Sequence, residues 1–347
     1  MPTFRTGAVT DIISERPGLQ RVRVAMEPEG DFPGESARAY SLTELTGSVA
    51  VGDEVVCNTT AVELGLGTGG WHVVHWNLSR RSFVRPGPDH IMKLRYTSLQ
   101  FDAGTSELEH PDLPPTLPST PVVVCQVHSQ VGVVAATIGA LRPELRVAYV
   151  MTDGASLPIV LSDLVVELRE RSLLAATITA GHAFGGDLEA VTVASALLMA
   201  CHVDRSKAEV IIVGMGPGVV GTGTRLGTTS IEAAAIIDTV TALGGRPVLC
   251  VRASDGDARE RHQGVSHHTR TAIELCHSRP TVAPVPDEVR LLDGVDVYEI
   301  DPPDIATVLD DAGLRITTMG RGRDADPLFF AAAAAAGAVA VAVALRP

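Results

Sequence analysis

Asp255 to His268 reads DGDARERHQGVSHH and places Asp255, Asp257, His262, His267 and His268 within fourteen residues of a chain that has eleven histidines. Imidazoles beside carboxylates support two kinds of chemistry. A histidine oriented by an acid transfers protons near neutral pH, and grouped imidazole nitrogens with a carboxylate ligate zinc or manganese. The spacing matches no standard metal motif, so two functional readings stay open: proton transfer through Asp255, His267 and His268, or a divalent metal held by Asp255, His262, His267 and His268. An exposed polar loop ending in a Ser266 helix cap accounts for the same residues. Arg259 and Arg261 flank the group, and Arg321 and Arg323 lie in TMGRGRD. Arginines so placed grip phosphate or carboxylate through paired hydrogen bonds, although surface solvation explains any one of them equally well.

Three further segments carry polar groups of interest. VMTDG offers Asp153 as a carboxylate aimed into a cleft. GHAFGGDLEA brings His182, Asp187 and Glu189 together at an expected helix start, where Asp187 could equally be a plain N-cap. The glycine-rich loop Gly214 to Gly227 reads GMGPGVVGTGTRLG, and GPGVVG from Gly216 to Gly221 matches the dinucleotide fingerprint literally. In a dinucleotide site the helix begins inside the glycine run and an acid follows about twenty residues on. Here Thr229 and Glu232 suit a capping box, which starts the helix near Ser230 and puts Asp238 inside it. That argues against a nicotinamide or flavin dinucleotide. Successive N–H groups of Gly216, Gly218, Gly221 and Gly223, the hydroxyls of Thr222 and Thr224, and Arg321 could still cradle an anion. Close packing of two elements across the glycines is the structural alternative.

These segments acquire meaning from the elements that position them. From Pro121 onward, near-continuous apolar runs (VVVCQV, LRVAYVM, AATIT, EVIIVGM, RPVLCV, VDVYEI, RITTM, AVAVAVAL) alternate with helical runs expected at 131–141, 158–171, 187–201, 230–243, 267–276, 304–312 and 327–336. That alternation predicts an α/β fold, a doubly wound and mostly parallel sheet buried on both faces. Ligand crevices in such sheets lie beyond the strand carboxyl ends. His128, Asp153, His182, the glycine loop, Asp255 and Arg321 each follow an expected strand. Residues 5 to 78 read instead as short strands parted by turns such as Pro17-Gly18, and predict a small β-barrel or sandwich. The expected organisation is therefore an all-β domain at 1–78, a connecting segment with a proline-rich linker at 79–120, and a Rossmann-like domain at 121–347.

Composition narrows the class. With 45% hydrophobic but only 4% aromatic residues, the core must be built from Val, Leu, Ile and Ala. The formal charge of −13 opposes a nucleic-acid partner. The five cysteines are scattered singly and read as core thiols of a reducing, cytoplasmic location. Leu328 to Leu345 is uncharged and long enough to suggest a membrane span. Gly337 divides it into PLFFAAAAAA and AVAVAVAL, which read as a buried helix and then a buried strand, so no membrane association is expected.

Taken in order, NTTAVELGLGTGG, HIMKLRYT, VMTDGASLP, GHAFGGDLEA, MGPGVVGTGT, RHQGVSHH and TMGRG resemble a bacterial, mainly actinobacterial, family known only as domain of unknown function 3866. The resemblance covers nearly the whole chain and implies a bacterial cytoplasmic protein, but it carries no reaction or site residues. The residues themselves suggest a hydrolase or group transferase acting on a small anionic metabolite, with no cofactor identified and room for a divalent metal. A ligand sensor, a protein-interaction module and a homo-oligomer remain open alternatives.

Overall fold

A computed structural model describes residues 2–30, 32–67 and 69–345, so Thr68 of the glycine-rich run lies outside the described residues. The chain divides into two compact units, Met1–Ala103 and Gly104–Pro347. The first is built on β1 (Phe4–Arg16), β2 (Leu19–Met26), β3 (Ser36–Leu42), β4 (Glu54–Asn58) and β5 (Trp71–Asn77). The short helices α1 (Thr43–Thr46) and α2 (Thr60–Glu63) and a small ribbon of β6 (Met92–Lys93) and β7 (Phe101–Asp102) complete it. The five strands close into a barrel of order β1-β2-β3-β5-β4, with β3 and β5 parallel and the other pairs antiparallel. Register shifts between Val9 and Asp11 and between Ile12 and Ser14 bend β1 so that it pairs with both β2 and β4. Val9, Val22, Val24, Ala39, Val55, Cys57 and Val74 point inward at every second position and fill the barrel.

The second unit contains β8 (Pro121–Val124), α3 (His128–Leu141), β9 (Val147–Thr152), α4 (Asp163–Glu170), β10 (Ala176–Ala180), β11 (Leu188–Ala190), α5 (Val193–His202), β12 (Val210–Met215) and α6 (Glu232–Ala242). It continues with β13 (Arg246–Leu249), β14 (Ala253–Ser254), β15 (Gly264–Val265), α7 (His267–Leu275), β16 (Thr281–Val282), β17 (Asp296–Val297), α8 (Ile305–Asp311) and α9 (Pro327–Ala344). Eight strands form one parallel sheet of order β11-β10-β9-β12-β8-β13-β16-β17, as the apolar runs require. Helices α3, α4, α8 and α9 cover one face and α5, α6 and α7 the other. The chain leaves β9 and β8 toward the first face but leaves β12 and β13 toward the second. Neighbouring strands therefore diverge at three places along the carboxyl edge, between β9 and β12, between β12 and β8, and between β8 and β13.

Several sequence expectations change. AVAVAVAL is not a strand: α9 runs unbroken through Gly337 to Ala344. Alternating valines suit a helix when it is buried all round and alanine supplies the helix propensity. Gly337 serves packing here, because a Cβ would sit 3.0 Å from Thr137 Cβ and 3.1 Å from the Val134 carbonyl oxygen on α3. Although α9 is long and apolar enough to cross a membrane, most of it is buried inside the unit. RITTM makes only an isolated bridge, Thr318 with Arg321. Asp187 and Glu189 belong to the entry of β11 rather than to a helix, and α5 starts at Val193 behind a Thr192 cap. The proline-rich stretch packs on the second unit through the buried Leu117, whose N–H donates to the Leu243 carbonyl.

Candidate functional site

The densest group of chemistry-bearing side chains lies at the carboxyl end of β13. The chain leaves that strand through Arg252, turns through β14, a 3₁₀ turn at Glu260–His262 and β15, and enters α7 behind Ser266. Ser266 caps α7 by accepting from the His268 N–H at 3.2 Å and stands 2.8 Å from His262 Nδ1. His262, His267 and His268 thereby gather into one group, with ring centroids 4.2–5.0 Å apart and planes tilted or edge-on to one another. Arg252 donates through Nη1 to His268 Nδ1 at 2.8 Å. A guanidinium only donates, so His268 Nδ1 must be bare, and the neutral ring carries its proton on Nε2. The His267 Nε2 atom is buried and has no hydrogen-bond partner among the described residues.

Electrostatics sets the character of this group. Burial, then the surrounding guanidinium groups, pushes His262 and His268 down to about 3 and lowers His267, so all three are neutral at physiological pH. Asp257 is fully engaged: Arg259 grips it at 2.8 and 2.7 Å and Arg321 reaches it at 3.1 Å, which holds its carboxyl far below the usual range. Arg321 also donates to the buried Asp326, which accepts from Ser254 as well. Arg252 is different. It is buried, has no carboxylate partner among the described residues, and is lowered to about 10 by burial and by Arg259.

Other expected site residues fall elsewhere. Asp255 is exposed and caps α9 by accepting from the Leu328 N–H at 3.1 Å, away from the histidines. Asp153 accepts from the His182 N–H at 2.9 Å, which places these two together at the ends of β9 and β10. Asp187 lies at the opposite, amino edge, tied to Arg169, Arg205 and Thr177. Arg323 binds Asp310 and the Ala306 carbonyl of α8. The glycine loop folds back on itself as an exposed flap: Gly221 bridges Thr228, the Thr222 N–H donates to the Gly227 carbonyl at 2.7 Å, and the Thr222 and Thr224 hydroxyls meet at 2.8 Å. Its hydroxyls serve the flap rather than an open cradle. Beyond Gly216 and Gly218 at its base, the flap carries its tip to the cluster, since a Cβ on Gly223 would sit 3.6 Å from the Arg261 guanidinium.

Two further groups lie around the carboxyl ends of β9 and β12. Glu232 does not complete a capping box; Thr228 caps the preceding 3₁₀ turn, and the Glu232 carboxylate accepts from Thr152 Oγ1 at 2.7 Å. Burial raises it to about 7. His128 meets Ser162 Oγ at 2.7 Å through Nε2 and the Met215 carbonyl at 3.2 Å through Nδ1, and burial lowers it to about 4. Since a carbonyl only accepts, Nδ1 carries the proton and Ser162 donates to Nε2. Beside His128 lies a cavity of about 360 Å³ lined by Leu164, Pro217, Val219, Arg315 and Thr318, within the size range of small-ligand pockets. The strand-end position marked His128 in the sequence, whereas Glu232 read only as a capping-box partner.

Residues 38–337 match the family model described as Protein of unknown function (DUF3866), and the chain belongs to that family. No curated protein and no solved structure matches it.

Proposed function

We propose that this member of a family of unknown function is an enzyme, a hydrolase or group transferase, that holds a small phosphorylated or carboxylated metabolite against the carboxyl edge of its parallel sheet. The observation that carries the reading is Arg252, a buried guanidinium that donates to a neutral imidazole, has no carboxylate within ion-pair distance among the described residues, and whose nearest acid, Asp257, is already clamped by Arg259 and Arg321. A buried charge without a counter-charge is costly, and an anionic ligand would supply one. The Arg252 guanidinium, the His268 Nε2–H and the start of α7 would donate to that anion. His267, neutral and with its Nε2 unsatisfied, is the candidate for proton transfer. A divalent metal on all three histidines fits less well, because the Arg252 hydrogen bond occupies His268 Nδ1 and four arginines oppose a second cation.

Thermal unfolding in inorganic phosphate tests the reading, since a ligand of the native state raises its melting temperature. The parent protein is expected to gain stability with phosphate concentration and Arg252→Met to gain none. His267→Ala should keep the phosphate response while losing turnover of a phosphomonoester panel. Equal responses from the parent and Arg252→Met would sink the assignment.

A further inference from the structure

The outer face of the barrel carries a group of aromatic and basic residues that the proposed anion site does not use. Its strand order β1-β2-β3-β5-β4, with β3 and β5 parallel and α1 between β3 and β4, is that of an OB-type barrel. Such barrels bind oligonucleotides or oligosaccharides on the outer face of strands 2 and 3, flanked by the loop between strands 4 and 5. Fold alone does not assign a function, so the residues on that face must decide.

Cross-strand register places them. One row runs Asp11, Arg23, Arg38, Trp71 across β1, β2, β3 and β5, and the next runs Ser14, Arg21, Tyr40, Val73. All eight are exposed or half-buried, on the side opposite the valine core. Tyr40 and Trp71 stack with centroids 4.7 Å apart and planes 16° from parallel. Arg38 lies over Trp71 at 4.8 Å, and Arg21 lies 5.8 Å from both rings. The glycine-rich run before β5 closes onto this surface: Arg38 Nη2 donates to the Gly69 carbonyl at 2.7 Å, and Gly69 and Gly70 adopt φ of 66° and 75° against Trp71 and Arg38. That contact gives the NTTAVELGLGTGG motif a role that the α/β unit does not.

We propose that this face binds single-stranded nucleic acid. Three arginines supply phosphate contacts, and the Tyr40, Trp71 and Arg38 planes supply the stacking platform that sequence-tolerant strand binding uses. Asp11 is the one acid in the two rows and sets the rim beside Arg23. Oligosaccharide is the less favoured ligand, because three cations on one face match a polyanion. The formal charge of −13, which opposes a polyanion, falls mostly on the other unit and leaves the barrel unit near neutral, so the attraction rests on the local arginines. Residues 1–103 hold ten Lys or Arg against twelve Asp or Glu, whereas residues 104–347 hold eighteen against twenty-nine.

The test is fluorescence anisotropy of the full chain with labelled (dT)15 and (rU)15. Binding is expected at 50 mM salt and should weaken roughly 20-fold by 200 mM if three phosphates are contacted. Arg23→Ser/Arg38→Ser, both exposed positions, should weaken it at least tenfold and flatten the salt slope, while Arg81→Ser should leave it unchanged. In a Trp76→Phe background, oligonucleotide should quench the fluorescence of Trp71. An abasic 15-mer or heparin binding as tightly as (dT)15 would reduce the face to a polyanion patch and overturn the stacking role. Absence of binding at 50 mM salt, an unaffected double variant, or preference for anionic vesicles would overturn the proposal outright.

Discussion

The two edges of the parallel sheet handle buried charge in opposite ways. At the amino edge, Asp187 is saturated: one oxygen accepts from Arg169 at 3.1 Å and Arg205 at 2.8 Å, the other from the Thr177 N–H at 2.9 Å and its hydroxyl at 3.1 Å. At the carboxyl edge, Arg252 is more deeply buried than Asp187 but donates to a neutral imidazole. In sequence, Asp187 with His182 looked as promising as Asp255 with His267. What separates them is whether the charge already has its partners: Asp187 is held in a structural network, and under the proposed function Arg252 takes its partner from a ligand.

The largest effect that could break this contrast is at Asp187. Asp187→Ala leaves Arg169 and the Thr177 N–H without their acceptor, so denaturant unfolding should show a loss of about 3 kcal/mol with phosphate binding intact. A change in phosphate affinity would erase the distinction between the edges.

Next comes Glu232, whose pKa of about 7 lies above the usual carboxylate range because of burial. The native state therefore holds a proton that the unfolded chain releases near pH 4.5. The associated stability is complete below that pH and is lost as pH rises through 7. Glu232→Gln should stabilise the protein by about 2 kcal/mol at pH 8 and by almost nothing at pH 5. The same gain at both pH values would refute the buried-carboxyl description.

The histidine group has the opposite sign. His262 and His268 are depressed to about 3, so the unfolded chain binds protons that the native state refuses. Their stability is complete above about 6.5 and declines as pH falls toward 3. Measured on the Glu232→Gln background, which removes the opposing term, unfolding at pH 5 should be easier than at pH 7 by about 1–2 kcal/mol. A flat profile would mean that the rings are solvated.

The smallest stability change is expected at Arg252. Replacing a buried, unpaired cation with methionine should cost nothing or add about 1 kcal/mol while abolishing the phosphate response. A large destabilisation would make Arg252 structural, like Asp187.

The sheet was legible because strands buried on both faces must be almost wholly apolar, and VVV, VAYVM and VIIVGM within the runs VVVCQV, LRVAYVM and EVIIVGM are. The barrel was legible from alternation and turns, but its parallel β3–β5 pair was not, since register depends on contacts far apart in the chain. α9 misled because alternating valine mimics a strand when alanine intervenes. The histidine cluster was visible by density alone. Its sorting was not: Asp255 and Asp257 are two residues apart, yet one caps α9 while the other is clamped by Arg259 and Arg321. The pairing of Glu232 with Thr152 joins residues from α6 and β9, and no local pattern announces it.

The close seating of α9 on α3 at Gly337 also bears on how the protein is made. The two helices are about 200 residues apart in the chain, at synthesis rates that separate them by roughly 10–40 s on the ribosome. During that interval α3 and the sheet face beneath it lack their cover, and the contact is among the most non-local in the fold. Completion of the α/β unit is therefore a late event, and the nascent chain should lean on holding chaperones until its alanine-rich helix emerges.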